Sequence, residues 1–482
     1  MLGSTTNSNS HRRWSALALI VTAQFMVILD VAIVNVALPS IQTDLGFSQA
    51  SLQWVVSAYA ILFGGALLLG GRLADLLGRR RLFMTGIGLF ALSSFLCGIA
   101  WNEASLIGFR ALQGLGGALL APAALSLLMT IFTEGRDRNL ALGIYSAASG
   151  SGAAAGVLLG GVLTSYLNWS WIFFVNVPVG GVAVLLAPVL LRESRPEIGH
   201  RHFDVRGAVS ATSGLMLLVY ALTRATTNGW TSAGTLASLI GSVGLLAAFV
   251  ALEARSPWPL LPLRLFRQRT LAASNAAMAI IGAVTFAEFF LLTLYVQDIL
   301  GYSAMQSGAA FVGFAGTVVV ISNGAQAIVS RLGVRPTLTA GFLLMAVSVG
   351  LLTRLPVHGH YFWDLFPAFI IGGAGMALSF VPVTIGGLAG IDRADAGVAS
   401  GLINTTRQIG GAIGIAAASA IAAAATHGTG IDASDHGFRV ALFVLLGLVL
   451  FGAVIAATSF RPERAAGEEE PVAEPVLLQE AA

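Results

Sequence analysis

Four ionisable side chains stand inside long apolar stretches of this 482-residue chain: Asp30, Arg110, Glu288 and Arg407. A charged group at the centre of a membrane helix costs about 3 kcal/mol or more, so each needs a partner, a proton or a task. Asp30 falls about eight residues from one end of its apolar stretch, and Arg110 about five from the matching end of another. At a rise of about 1.5 Å per residue, their depths differ by only a few ångströms. If those helices touch, an ion pair or a shared hydrogen-bond network is expected. Such a pair would either lock the helices together or let Asp30 take up and release a proton, with Arg110 tuning that exchange. Glu288 stands in Ala283-Val284-Thr285-Phe286-Ala287-Glu288-Phe289-Phe290, an apolar and aromatic setting. Three readings stay open for it: a site for a cationic substrate, a second proton site, or a neutral hydrogen-bonding residue. Phe286, Phe289 and Phe290 beside it offer stacking or cation–π contact. For Arg407, snorkelling to the membrane interface is expected.

A second group of charges lies between apolar stretches. Gly71 to Arg81 reads GRLADLLGRRR and places Arg72, Asp75, Arg79, Arg80 and Arg81 around Gly71 and Gly78. It is expected to form a short polar hinge at a membrane face, with the arginines marking the cytoplasmic side. A worn copy, Ser330-Arg331-Leu332-Gly333-Val334-Arg335-Pro336, follows much later and hints at internal repetition.

The elements that must carry these residues are membrane helices. Apolar runs of about twenty residues, enough to cross the hydrocarbon core, fall at 15–38, 52–72, 82–101, 105–131, 140–164, 171–191, 207–224, 232–252, 271–297, 306–330, 336–354, 362–386, 398–424 and 438–459. An even number of spans, fourteen, puts both termini on one side. With that side cytoplasmic, alternate loops collect 21 arginines against 3, which sets the orientation by the positive-inside rule. Trp101, Trp169, Trp171, Trp230 and Trp363 then gather at the outer interface, where amphipathic rings are favoured. The longest loops divide the chain into a tail 1–14, a six-helix bundle 15–191, loops with two extra helices 192–270, a second bundle 271–460 and a tail 461–482. The last tail is Ala-, Pro- and Glu-rich and is expected to be disordered and cytoplasmic. The opening segment is followed by an apolar run too persistent for a cleaved signal peptide.

Composition bounds the function. Apolar residues make up 56% of the chain and charged ones 10%, with a formal net charge of +3, values foreign to a soluble domain of this length. No lysine occurs anywhere, so a Walker-type phosphate loop and Schiff-base chemistry are both excluded. Cys97 is the one cysteine, which leaves no internal disulfide and a small core role. A channel would want a ring of repeated polar residues, which is missing. An enzyme would want clustered catalytic groups, and His358, His360 and His436 form no such cluster. No enzyme activity, cofactor, metal or nucleic-acid partner is expected.

The hinge resembles the signature between helices 2 and 3 of the major facilitator superfamily. Leu29-Asp30-Val31-Ala32-Ile33-Val34-Asn35-Val36-Ala37-Leu38-Pro39 resembles the first-helix motif of its fourteen-helix drug/proton antiporters. Arg110, Gln113 and Gly114 resemble the fourth-helix motif, whose arginine is implicated in proton coupling. Gly152, Gly156, Gly160 and Gly161 resemble the exporters' antiporter motif, with Val157 where a proline is usual. Asn176, Pro178 and Gly180, and Asn404, Arg407 and Gln408, are similar to further family segments. The resemblance implies an all-α integral membrane protein with the major facilitator fold: two six-helix bundles plus two extra central helices. It implies a monomeric, proton-coupled plasma-membrane exporter of small hydrophobic or cationic compounds, or a dedicated exporter of one endogenous metabolite, antibiotic or lipid. Asp30, Arg110 and Glu288 are then expected to couple protons, and Gly71, Asp75, Gly78, Arg79 and Arg80 to gate the conformational change. Asn35, Gln113, Glu288, Phe286 and Phe289 are expected to line the substrate cavity.

Overall fold

The computed structural model describes residues 4–132, 135–193, 205–256, 259, 263–389, 391, 396–426 and 431–460. Its long helices are α1 (Ser4–Leu45), α2 (Trp54–Leu77), α3 (Arg79–Gly98), α4 (Glu103–Ile131), α5 (Gly135–Tyr166), α6 (Asn176–Leu190) and α7 (Val205–Asn228). They continue with α8 (Ala233–Arg255), α9 (Arg269–Leu294), α10 (Ala304–Leu332), α11 (Val334–Leu352), α12 (Phe366–Leu388), α13 (Ala396–Ala425) and α14 (Ile431–Ser459). No strand occurs among the described residues. Among the described residues, eleven helical segments are long and apolar enough to cross a membrane. The other three, in α2, α5 and α7, contain shorter apolar stretches, Trp54–Leu67, Ala155–Tyr166 and Val209–Leu222.

Helices α1 to α6 pack on one another, with α4 against both α2 and α3, and α1 against α5 and α6. Helices α9 to α14 form a second group, in which α13 lies along α9 and α12 lies against α11 and α10. Two seams join the groups, α5 on α10 and α2 on α13. The hairpin α7–α8 covers the second seam: Leu215, Met216, Val219 and Leu222 of α7 pack with Ala60 and Ile61 of α2 and Ala412 and Ala416 of α13.

The polar stretch expected to be a short hinge is mostly helix. Helix α2 runs on through Leu77, and Gly78 alone breaks it, at φ 106° and ψ 134°. That conformation is essentially open only to glycine. Gly71 and Asp75 therefore lie on the last turns of α2, and the side chains of Arg72 and Asp75 are outside the described residues. Gly333 breaks the chain between α10 and α11 in the same way, at φ 84° and ψ 168°.

The likeness of the two groups goes beyond the hinges. Gly86 stands eight residues after Gly78, and Gly341 eight after Gly333. Gly116 of α4 lies against the backbone of Phe90 and Gly86, and Gly375 of α12 against the backbone of Met345 and Gly341. Along α5, Gly156 and Gly160 abut the carbonyls of Leu29 and Ile33, while along α13 Gly410 and Gly414 abut those of Ala279 and Ala283. Small residues at these points let helix backbones approach closely. Helix α5 stays unbroken through Val157, whose carbonyl lies against Gly308 of α10.

Candidate functional site

The first group holds a buried polar centre. Asp30 of α1 and Arg110 of α4 are 0% and 1% exposed. Arg110 Nη1 donates to Asp30 Oδ2 at 2.6 Å and to Gln113 Oε1 at 2.6 Å, and Nε donates to the Val55 carbonyl at 2.9 Å. The other carboxylate oxygen, Asp30 Oδ1, accepts from Gln113 Nε2 at 2.8 Å and Asn176 Nδ2 at 2.9 Å. Ser94 Oγ of α3 accepts from both of those amides. The guanidinium lies over the Tyr59 ring, 4.4 Å from its centroid, and 5.7 Å from that of Phe173. Five long helices, α1, α2, α3, α4 and α6, thus converge on one ion pair, and its carboxylate receives three donors.

A protonated Asp30 would carry an O–H donor among groups that all donate to it, and its bonds from Arg110, Gln113 and Asn176 would lose their charge assistance and weaken. Those donors sit on α4 and α6 and tie both helices to α1.

Sequence reasoning brought Asp30 and Arg110 together by depth. It gave Gln113 to the substrate cavity, whereas the side chain is wholly buried inside this network. Asn176 was legible as a family-like residue but not as a ligand of Asp30, and Ser94 and Tyr59 were missed. A polar Ser93-Ser94 pair within an apolar run was the available signal.

Glu288 has no counterpart network. It is 6% exposed and makes no hydrogen bond or ion pair among the described residues. Thr285 and Tyr295 share its helix face by their spacing. Thr285 Oγ1 donates to Met376 Sδ of α12 at 3.2 Å, and the Tyr295 hydroxyl donates to the Leu355 carbonyl at 3.3 Å and meets the Phe438 ring of α14. Glu288 thus looks into the second group, towards α12 and α14. Phe286 lies on the opposite side of α9 and Phe289 on the flank between, next to Thr285; both are half-buried. Phe289 stacks on Phe311 at 4.9 Å, and Phe286 faces Arg407. Asn35 is half-buried, its amide turned onto the Val31 carbonyl of its own helix.

Arg407 does not snorkel. It stands eleven residues into α13, between the rings of Phe286 at 5.7 Å and Phe380 at 5.9 Å.

At the hinge, Glu193 does what the sequence did not announce. Its Oε1 accepts from the backbone N–H of Arg80 at 3.1 Å, and its Oε2 lies 3.8 Å from both Arg80 Nε and Arg81 Nε. Arg79 donates to Thr130 at the end of α4. Of the five aromatic residues expected at the outer interface, Trp101, Trp171, Trp230 and Trp363 are exposed. Trp169 is buried and donates to Asp44 Oδ2 at 2.6 Å.

Residues 20–415 match the Major Facilitator Superfamily. The chain belongs to that superfamily. It is 41% identical over 461 residues to the puromycin resistance protein pur8 of Streptomyces alboniger, covering 92% of this chain and 91% of that one. It is 40% identical to the cephamycin export protein CmcT of Amycolatopsis lactamdurans, over 88% of this chain and 87% of that one. A crystal structure of a peptide transporter POT in complex with sulfate superposes with a TM-score of 0.66 at 18% identity, covering 92% of this chain and 94% of that one. This last likeness speaks to the fold alone.

Proposed function

We propose that this protein is a proton-driven exporter of small hydrophobic or cationic compounds, working by alternating access. The observation that carries the reading is the Asp30–Arg110 network, a titratable carboxylate sealed among donors from other helices, in a chain without a phosphate-binding lysine. Relatives named for antibiotic resistance and export support the direction of transport. A proton arriving at Asp30 loosens its bonds to α4 and α6, and its departure restores them. Glu288, buried without a partner, is the second proton-coupling residue. Gly71, Asp75, Gly78, Arg79 and Arg80 set the closure at the hinge end.

The architecture that goes with this reading has fourteen spans: bundles 15–191 and 271–460, two extra helices within 192–270, and tails 1–14 and 461–482. The protein is a monomer of the plasma membrane with both termini in the cytoplasm, on the side of the 21 arginines. It needs no cofactor and catalyses no covalent reaction. A second reading, an exporter dedicated to one endogenous product, is favoured by relatives named for single compounds, puromycin and cephamycin.

A panel of compounds in an efflux-deficient host, with and without a protonophore, tests both readings. Gradient-dependent export of several unrelated compounds is the expected result. Export that continues at its original rate after the gradient collapses, with ATP held constant, would overturn proton coupling. Export of one compound alone would favour the dedicated reading.

A further inference from the structure

Among the described residues Arg407 is a cation without a counter-ion. Asp30 is saturated by Arg110, Gln113 and Asn176, and Glu288 sits on the face of α9 turned away from Phe286 and hence from Arg407. Among the described residues no carboxylate lies within salt-bridge distance of Arg407. Its Nη2 donates to Asn404 Oδ1 at 3.1 Å, while Nε is shielded and has no hydrogen-bond partner. A guanidinium carries five N–H donors in a rigid fork, and the described residues satisfy only part of it.

The place is built to hold it. The Arg407 carbonyl lies against Gly282, which brings the α9 and α13 backbones into close contact at this residue. Phe286 and Phe380 flank the guanidinium and limit its rotation. Arg407 is only partly buried, and Phe380 is 37% exposed although it stands within an apolar helix. The position borders the junction of the two groups: Phe286 also packs against the α2–α7–α13 cluster, and Tyr59 stands within electrostatic range of Arg407. An arginine held between aromatic faces, partly open and short of acceptors, suits a planar anion lying beside an aromatic body.

We infer that Arg407 is the docking point for the carboxylate of a transported aromatic compound, with Phe286 and Phe380 against its rings. This rests on the export reading and widens it from hydrophobic and cationic compounds to acids and zwitterions.

Three probes sharing one ring system test it: pyrene butyrate, its methyl ester and pyrene butylamine, titrated into the purified full-length protein with micelles alone subtracted. The wild type is expected to prefer the butyrate over the ester. Arg407→Gln should weaken the butyrate roughly tenfold, to the level of the ester, and Arg407→Lys should keep part of the preference through its charge alone. Equal weakening of all three probes, or of none, would overturn the assignment. The wild-type comparison decides even where Arg407→Gln fails to fold, because no preference for the butyrate over the ester also overturns it. Protonophore-sensitive efflux of ethidium by wild-type cells tests export separately. Its absence overturns the export reading, whereas a missing butyrate preference overturns only the subsite.

Discussion

In the first half of the molecule, α5 leans on α1 through Gly156 and Gly160 at Leu29 and Ile33; in the second half, α13 leans on α9 through Gly410 and Gly414 at Ala279 and Ala283. That shared register places Ile280 where the first half has Asp30. The paired glycines Gly116 and Gly375 likewise place Phe369 where the first half has Arg110. Ile280 and Phe369 are buried, and Phe369 stacks on Phe311 at 5.2 Å. One backbone frame thus supports an ion pair on one side and an aromatic–aliphatic core on the other. Glu288 lies eight residues beyond Ile280, about 12 Å along the helix, and matches nothing charged in α1. Arg407, three residues before Gly410, corresponds to Ala153. Repetition preserved the close helix contacts, and the charged chemistry differs between the halves.

The largest effect expected from this comparison comes from importing the second half's residues into the first. Arg110→Phe leaves Asp30 buried without its cation, which should cost about 3–5 kcal/mol of stability. Adding Asp30→Ile removes the stranded charge and should recover part of that loss, since a hydrophobic pair often replaces a buried ion pair at little cost. Gln113 and Asn176 lose an acceptor in the double variant, so recovery is incomplete. Thermal unfolding in detergent measures both. Equal loss in the single and double variants would show that the pair is not energetically coupled.

Asp30→Asn is the functional version. The amide keeps the volume and can still accept hydrogen bonds but cannot exchange a proton. The protein should insert and bind substrate, while substrate-induced proton release in proteoliposomes falls to background. Normal release would make Asp30 a structural residue.

Glu288→Gln should act more weakly and without regard to substrate charge, because its helix face looks into the second group rather than towards Phe286 and Arg407. Efflux of cationic and neutral compounds should fall in parallel, by a few-fold. A selective loss for cations would mean that the carboxyl reaches the substrate, and no loss for either would leave it a neutral packing residue.

Much of the frame was readable from apolar runs. The run at 105–131 appears as Glu103–Ile131 and that at 398–424 as Ala396–Ala425, because length and hydropathy alone define such helices. The extent of the hinge was not readable. Leu73, Ala74, Leu76 and Leu77 are good helix formers despite Asp75 among them, and only Gly78 has to leave the helix. The Asp30–Arg110 pair was readable because depth is a one-dimensional quantity. The rotation of Glu288 and the fate of Arg407 were not, since they depend on which helices surround α9 and α13. Trp169 shows the same limit: an interfacial residue by position, it is buried by a bond to Asp44 that lies 125 residues away in sequence.

The smallest expected difference compares the two hinge glycines. Gly78→Ala and Gly333→Ala each force a side chain into positive φ, at 106° and 84°, a strain of about 1–3 kcal/mol. A further cost is expected at Gly78, where Glu193 lies over the glycine and an added Cβ would come 2.5 Å from Oε1. The carboxylate must retreat, giving up its bond to the Arg80 N–H and its approach to two partly exposed guanidinium groups. The hydrogen bond is worth about 1 kcal/mol net, and the exposed ion pairs add little. Gly78→Ala should therefore unfold at a lower temperature than Gly333→Ala, and Glu193→Ala combined with Gly78→Ala should cost less than the two single changes added together. Additive losses would show that Glu193 does not clasp the hinge, and equal single losses would show that the two hinges are equivalent in energy as well as in shape.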